Sequence, residues 1–591
     1  MPLAPIDWLI IVAYFVIALA VGLYYRKRAG ESLSEFFLSG RSLPWWIAGT
    51  SMVATSFAAD TPLAVTGLVA RHGIAGNWFW WSFALGGMVV VFVYARLWRR
   101  AGVMTDVELA ELRYGGKPAA FLRGFRSIYI ALLVNSIIVG WVTAAMLKVL
   151  KFTVFSGTET ATGASDWIII LALFAIVGVY STLSGLWGVV ITDFIQFIVA
   201  MVGSIVFAAY CVRHVGGLDA LRERLTTGYE GGEQILRFIP DFTAAEPWMP
   251  LNILLIMLFV QWWASWYPGA EPGGGGSTVQ RMASCRSERD SLLATLWFQL
   301  AHYCLRPWPW LLVALTALAV YPDLRQLDDP GVGYPMLIRD IAPPGLRGVM
   351  LVVFFAAFMS TLSTQINWAA SYLVGDFYRR FLKPEADDRH LTLVSRLATL
   401  FVMVVCAGAA WVMRDIAVDE AWKFLAALGA GTGAVFMLRW FWWRINAWSE
   451  ISAMVASLIY FVIVSRYVDA NEHRLAIVAA LTIPTWLLVT FLTRPEKDST
   501  LEAFYEQIRP GGAGWKPVAA RKPGVDVDQH LLWSILAAFL ATGVVYLSIP
   551  GVGLVLFGQY GRGALALAGA LGCAVATYQL VHRIGWEKMT R

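Results

Sequence analysis

Residues 44–72 read PWWIAGTSMVATSFAADTPLAVTGLVARH, an apolar run long enough to cross a bilayer, with a carboxylate, Asp60, and a proline, Pro62, near its middle. A spanning helix takes roughly 20 mostly apolar residues, so this run is a membrane span. Pro62 lacks an amide hydrogen and its ring crowds the preceding turn, so the helix is predicted to break there and free carbonyl groups upstream. An ionisable side chain inside hydrocarbon is costly, which makes Asp60 a functional residue by default. A broken helix carrying a carboxylate at mid-membrane is the device with which secondary transporters bind ions and substrates. The competing reading is a plain proline kink whose Asp60 reaches interfacial water.

The composition around this run is of the same kind. Of 591 residues 58% are hydrophobic and 15% charged, and the mean hydropathy is +0.62. Soluble domains carry about 25% charged and about 45–50% apolar residues, so a soluble enzyme is excluded. Hydropathy gives fifteen candidate spans, at residues 6–25, 44–72, 76–98, 124–150, 166–186, 188–212, 250–268, 291–321, 345–381, 391–413, 419–442, 447–467, 474–493, 530–549 and 562–583. The fold class expected is an all-α polytopic membrane protein.

The net charge of +6, from 46 Lys and Arg against 40 Asp and Glu, is no nucleic-acid signal. Basic residues gather in alternate loops: Arg26, Lys27, Arg28 and Arg41; Arg99, Arg100, Arg113, Lys117 and Arg123; Arg281, Arg286 and Arg289; Arg379, Arg380, Lys383 and Arg389; then Arg494 to Lys522. Most of the intervening loops are poorer in them, and the one at 152–165 has none. The alternation predicts a cell (inner or plasma) membrane protein with its N-terminus outside and its C-terminus cytoplasmic. The first span has no basic residue before it and three after it, the reverse of a cleavable signal peptide. Five scattered cysteines without a CxxC pair indicate neither a disulfide framework nor a zinc site.

Three polar segments have local meaning. Thr105 with Glu108 fits a capping box, and Ser499 with Glu502 precedes Phe504, Tyr505 and Ile508 at helical spacing, which predicts a helix lying on the membrane surface. Residues 268–278, PGAEPGGGGST, are too rich in Gly and Pro to be helical and predict an unwound region after a span, either an inner gate or a flexible loop.

Ser360, Thr361, Ser363 and Thr364 occupy positions i, i+1, i+3 and i+4 of one apolar span, so four hydroxyls share a face, with Asn367 one turn later. Such hydroxyls commonly bond only to the preceding turn or a neighbouring helix. Hard cations, however, want several oxygen ligands, and these hydroxyls, unwound carbonyls and one carboxylate would supply them. Asp193, in Thr192-Asp193-Phe194, is the obvious carboxylate. The eighth span adds His302 and Arg306, and an intramembrane Arg needs a partner. Asp60, an anionic solute or carbonyls freed after Tyr267 would serve.

Taken together, residues 42–67, 180–185 with Thr192-Asp193, Val279-Gln280-Arg281, and 357–364 with Gly375-Asp376 resemble the sodium:solute symporter family, the relatives of the sodium/galactose, sodium/proline and sialic acid symporters. The resemblance spans residues 7 to 493. It implies a LeuT-type core of two five-helix inverted repeats, placed at 44–213 and 250–442. Around it would lie an N-terminal segment 1–43, two peripheral helices in 443–493, a cytoplasmic segment 494–529 and a C-terminal hairpin with tail at 530–591. It also implies a first sodium site of the Ala54, Phe57 and Ala357 carbonyls with the Ser360 and Thr361 side chains. A second sodium would use Asp193, Ser360, Ser363 and Thr364. Each charge moved down 100 mV supplies about 2.3 kcal/mol, so two ions would supply roughly three decades of accumulation and one fewer than two.

Where sugar-transporting relatives place a carboxylate, this chain reads Asn77-Trp78-Phe79-Trp80-Trp81, and the sixth core helix gives Gln261 to Tyr267. Indole faces stack on sugar rings or sit over cations, although among 28 tryptophans many are interfacial anchors. The expected solute contacts are Ser56, Asp60, Thr61, Trp80, Gln261, Trp262, His302 and Arg306. The expected function is sodium-coupled symport of a small polar solute, a sugar or sugar derivative first, with no catalytic residue. A carboxylate or amino-acid-like solute and proton coupling through Asp60, Asp193 or His302 are the alternatives. A solute sensor would need a signalling module, which neither 494–529 nor the tail has room for. A membrane enzyme would need a motif such as HExxH or GxSxG, and there is none.

Overall fold

The computed structural model describes residues 3–29, 33–155, 163–243, 247–265, 271–527 and 529–585, with the side chains of 22, 25–29, 33, 34, 36, 163, 164 and 179–185 outside the description. The side chains of 180–185 and of Arg26, Lys27 and Arg28 therefore lie outside it. Among the described residues the chain is helical and forms no strand, only one isolated bridge between Leu43 and Cys285.

The helices used below are α1 (Pro5–Ala29), α2 (Trp45–Ser56), α3 (Thr61–His72), α4 (Ile74–Ala101), α5 (Gly116–Thr153), α6 (Gly163–His214), α7 (Leu251–Ala264), α8 (Gly276–Ser284), α9 (Glu288–Val320), α10 (Leu346–Leu382), α11 (Asp388–Met413), α12 (Val418–Leu428), α13 (Thr432–Leu438), α14 (Ala447–Val464), α15 (Asn471–Leu492), α16 (Asp498–Ile508), α17 (Leu531–Leu556) and α18 (Tyr560–Ile584). Among the described residues ten helices are long and apolar enough to span a membrane, or up to twelve when each bent pair counts once. The three other predicted spans fall on the shorter apolar helices Pro5–Val21, Ser165–Gly178 and Leu251–Ala264.

The predicted break is present. Asp60 stands at the N-cap position of α3 with Pro62 in its first turn, where a missing amide hydrogen costs nothing, and α2 and α3 meet at 55°. A second bent pair, α12 and α13, meets at 59°. The 52-residue α6 carries both predicted spans 166–186 and 188–212 in unbroken helical backbone.

Loops predicted to share a side do touch one another. Arg41 donates to Gly102 O, Arg99 to Cys285 O, Arg100 pairs with Glu288, Arg123 with Asp376, and Arg380 with Glu111. At the other end Lys148 pairs with Asp329, Lys151 with Asp166, and Arg71 with Asp419. Two of the basic residues assigned to loops are buried instead. Arg113 is held by the Arg439 carbonyl and the Tyr114, Phe504 and Trp515 rings, and Arg281 enters the core.

The 494–529 segment departs from expectation. Its helix α16 forms, but Lys497 stands at the N-cap and Ser499 makes no capping bond. Leu501, Phe504 and Ile508 are buried against protein, and Trp515 stacks on Phe504 and donates to Trp440 O, so the apolar face packs on the bundle and not on the membrane. Thr105 Oγ1 does accept from Glu108 N at 3.3 Å, while the Glu108 carboxylate accepts from Met104 N. The Gly-rich segment is tightly packed where described: Glu271 to Gly276 are buried, and a Cβ at Gly274, whose φ is 80°, would stand 2.6 Å from Trp98 Nε1. Residues 266–270 lie outside the description.

At the other end of the chain's contacts, α1 is fastened to α10. Asp7 Oδ1 accepts from Gly345 N and Gly348 N at 2.7 and 2.8 Å, a carboxylate at the positive end of a helix.

Candidate functional site

The site is organised by the end of α2. Its last turn leaves carbonyl groups without helical partners, a concentration of partial negative charge. Phe57 N folds back on Val53 O and Ala54 O at 2.9 and 3.0 Å, closing the turn before the chain leaves helical geometry. Against this end lies α10, where Thr361 Oγ1 donates to Thr55 O at 2.8 Å and Thr364 Oγ1 meets Thr55 Oγ1 at 3.1 Å. Ala54, Phe57, Ala357, Ser360 and Thr361, the residues of the expected first sodium site, are all buried at this contact between a broken helix and a hydroxyl face.

One side of the contact belongs to Asp193 of α6. Its Oδ2 accepts from Ser51 Oγ at 2.5 Å and its Oδ1 from Ser360 Oγ at 2.6 Å. Arg281 of α8 is beside it, with Nη2 3.7 Å from Oδ2. The structure thus gathers Asp193, Ser360 and Thr364. Ser363 Oγ bonds back to Ser360 O at 3.2 Å, the behaviour usual for hydroxyls in membrane helices.

The other side belongs to Asp60. Its Oδ2 accepts from Trp422 Nε1 of α12 at 2.6 Å; its Oδ1 is buried beside Trp141 of α5 without a hydrogen bond of normal geometry. A cavity of about 40 Å³ opens here, lined by Ser56, Asp60, Thr61, His302, Gln365 and the two indoles among others. A water takes about 30 Å³ and solute pockets run roughly 300–1,000 Å³, so the cavity in this arrangement has room for water and not for a solute.

Arg306 answers the α2 end from α9. Its Nη1 donates to Val53 O at 3.2 Å and to Ser56 Oγ at 3.0 Å, and its guanidinium lies over Trp310 at 5.0 Å. Among the described residues its partners include a carbonyl of the last turn of α2, a cation at a helix C-terminus. Nη2 meets His302 Nε2 at 3.3 Å and His302 Nδ1 meets Ser56 Oγ at 3.1 Å. Ser56 donates its own proton to Val53 O, so these contacts are satisfied by a neutral His302 carrying its proton on Nδ1.

Ser56, Asp60, Thr61 and His302 therefore meet around one cavity. Arg306 backs it through His302. Trp80 packs against Tyr303 and His302 and donates to Asn77, and Gln261 donates to Phe79 O at 2.5 Å, so neither lines it; nor does Trp262. Trp141, Gln365 and Trp422 are the residues sequence reasoning missed. Gln365 follows the hydroxyl run directly, a signal that was available in the sequence, and in the structure its Oε1 is buried without a partner. Nothing distinguished the two indoles from twenty-six others.

A family model described as the sodium:solute symporter family matches residues 36–459. The chain is 26% identical over 479 residues to sodium/glucose cotransporter 1 of Oryctolagus cuniculus, covering 74% of this chain and 69% of that one. It is 24% identical over 475 residues to the sodium/glucose cotransporter of Vibrio parahaemolyticus, covering 77% and 84%. In structure it is similar to a Na+-coupled sialic acid symporter in its substrate-bound outward-open state, with TM-score 0.66 and 20% identity over 84% of this chain and 99% of the other. The fold is the LeuT type expected.

Proposed function

We propose, since this chain belongs to the sodium:solute symporter family, that it imports a small polar solute together with sodium by alternating access between repeats at 44–213 and 250–442. It is a multi-pass membrane transporter and not an enzyme, and sodium is its coupling ion. The N-terminus is taken as outside and the C-terminus as cytoplasmic, since the contacting basic loops form one face.

The solute proposed is a sugar or sugar derivative, as for the cotransporters above. One observation carries this: Asp60 Oδ1 ends unpartnered in a cavity walled by Trp141 and Trp422, with the Gln365 oxygen also unpartnered. Buried acceptors without donors want a donor-rich solute, and indole faces suit the apolar faces of a sugar ring. The same carboxylate between indoles also fits an ammonium group, so an amino-acid-like solute is the second reading.

Sodium enters this scheme at the α2 end, where Thr55 and Ala54 meet Ser360 and Thr361. Sodium there would fix α2 against α10 and so raise affinity for a solute held by Asp60, and linkage makes the effect reciprocal. A second ion at Asp193 would have to contend with Arg281.

The test is uptake into proteoliposomes with sodium or choline outside, after a thermal-stability screen against sugars, amino acids and carboxylates with and without sodium. A sugar that stabilises only with sodium and is accumulated only with sodium is the expected result. Equal uptake in choline would remove sodium coupling and, if it followed a proton gradient, would replace it with proton coupling. A hit confined to amines would replace the sugar by the second reading.

A further inference from the structure

The Arg281 guanidinium sits among the oxygens expected to hold a second sodium. Nη2 donates to Thr364 Oγ1 at 2.6 Å, Nε donates to Ser51 Oγ at 3.2 Å, and Nη1 donates to Gln280 Oε1 at 3.0 Å. Ser51 passes the contact on to Asp193 Oδ2 at 2.5 Å. The side chains of Arg281 and Asp193 are 1% and 0% exposed. Together they form a balanced pair inside the protein. A sodium ion placed beside Asp193 with Arg281 still present would set two cations within reach of one carboxylate in a low-dielectric interior, where their mutual repulsion is strong. The two cations also want the same atoms, since Thr364 Oγ1 and Asp193 Oδ2 face the guanidinium.

Arg281 is moreover carried on a separate piece of helix. The nine-residue α8 is preceded by the non-helical residues 271–275, with Gly275 in extended geometry, and α7 ends at Ser265, likewise extended. Asp193 is on α6, Ser51 on α2 and Thr364 on α10, so the guanidinium ties α8 to three other helices through one charge.

We propose that Arg281 is a built-in competitor for sodium: guanidinium and ion are alternative occupants of the Asp193 site, and an ion enters it only as α8 withdraws Arg281. The inference rests on the sodium-coupled reading above. It makes Arg281 a positioning residue that converts ion entry at Asp193 into release of α8, the half-helix behind the Gly-rich break.

The experiment is sodium-dependent thermal stabilisation of the purified full chain, with choline chloride holding ionic strength constant, for the wild type, Arg281→Gln, Arg281→Lys and the double variant Asp193→Asn with Arg281→Gln. With the competitor gone, Arg281→Gln should reach half-stabilisation at about tenfold lower sodium, since charge repulsion of this kind is worth at least one decade. Arg281→Lys, with a compact head that cannot fork between Thr364 and Ser51, should fall between it and the wild type. The double variant, lacking both charges, folds without an unpaired ion and should lose the gain. Unchanged half-stabilisation in Arg281→Gln and Arg281→Lys would overturn the proposal, and so would a gain that persists in the double variant. If Arg281→Gln does not fold, Arg281→Lys alone decides, with wild-type sodium dependence as the overturning result. Absence of any sodium response in the wild type would overturn the transport reading itself, together with this inference.

Discussion

Asp60 and Asp193 are two carboxylates buried to the same degree in the same helix bundle, and their surroundings could hardly differ more. Asp193 has both oxygens filled by hydroxyls and a guanidinium beside them. Asp60 has one oxygen on an indole and the other facing a cavity without a bond. Burial alone therefore assigns no role. Asp193 has its acceptors answered within the chain, and Asp60 is left half answered. The cost of the unanswered oxygen, on the order of 1–3 kcal/mol, is what a donor-bearing solute would recover.

The largest effect should come from breaking the filled side. Asp193→Ala takes away the carboxylate beside the buried Arg281 guanidinium, and removal of one partner of a buried pair costs about 3–5 kcal/mol. A fall in melting temperature in sodium-free detergent measures it, and a wild-type melting temperature would place the Arg281 charge elsewhere.

Asp60→Asn should act on the open side instead. It removes a charge-assisted bond to solute, worth about 1.5–3 kcal/mol or roughly 10- to 150-fold in solute affinity, while sodium-dependent stabilisation persists. If both responses fell together, the two acids would belong to one site and the contrast would fail.

How far this contrast was legible in the sequence depended on rarity. Asp60, Asp193, His302 and Arg306 stand out because hydrocarbon tolerates few ionisable groups, and Pro62 located the helix break to the residue. Trp141 and Trp422 did not stand out because tryptophan is common here and its usual place is the membrane interface. Arg281 was hidden for the opposite reason: it lies near a Gly-rich interruption close to other arginines, so it counts as a loop charge until packing shows it inside the bundle. The α16 helix was readable from its periodicity, but an apolar stripe does not say whether lipid or protein covers it.

Two smaller effects sharpen the comparison at the junction between the two acids. Thr361→Val deletes the hydroxyl that reaches Thr55 O, and half-saturating sodium in uptake should rise about fivefold to tenfold for about 1–1.4 kcal/mol, with solute specificity unchanged. No change would take Thr361 out of the ion site. Trp422→Phe keeps an aromatic wall but frees Asp60 Oδ2, which the solute can then use; a loss of only about threefold in solute affinity is expected by direct binding. A loss as large as that of Asp60→Asn would mean that the indole, and not the solute, is what positions the carboxylate.

The cap that Asp7 places on α10 has a consequence for how the protein is made. Asp7 and its partner amide at Gly348 are 341 residues apart in the chain. At about 5–20 residues per second, the ribosome needs roughly 17–68 s between them. Throughout that interval the Asp7 carboxylate waits without its backbone partners, and α10 gains its cap from a segment made long before it.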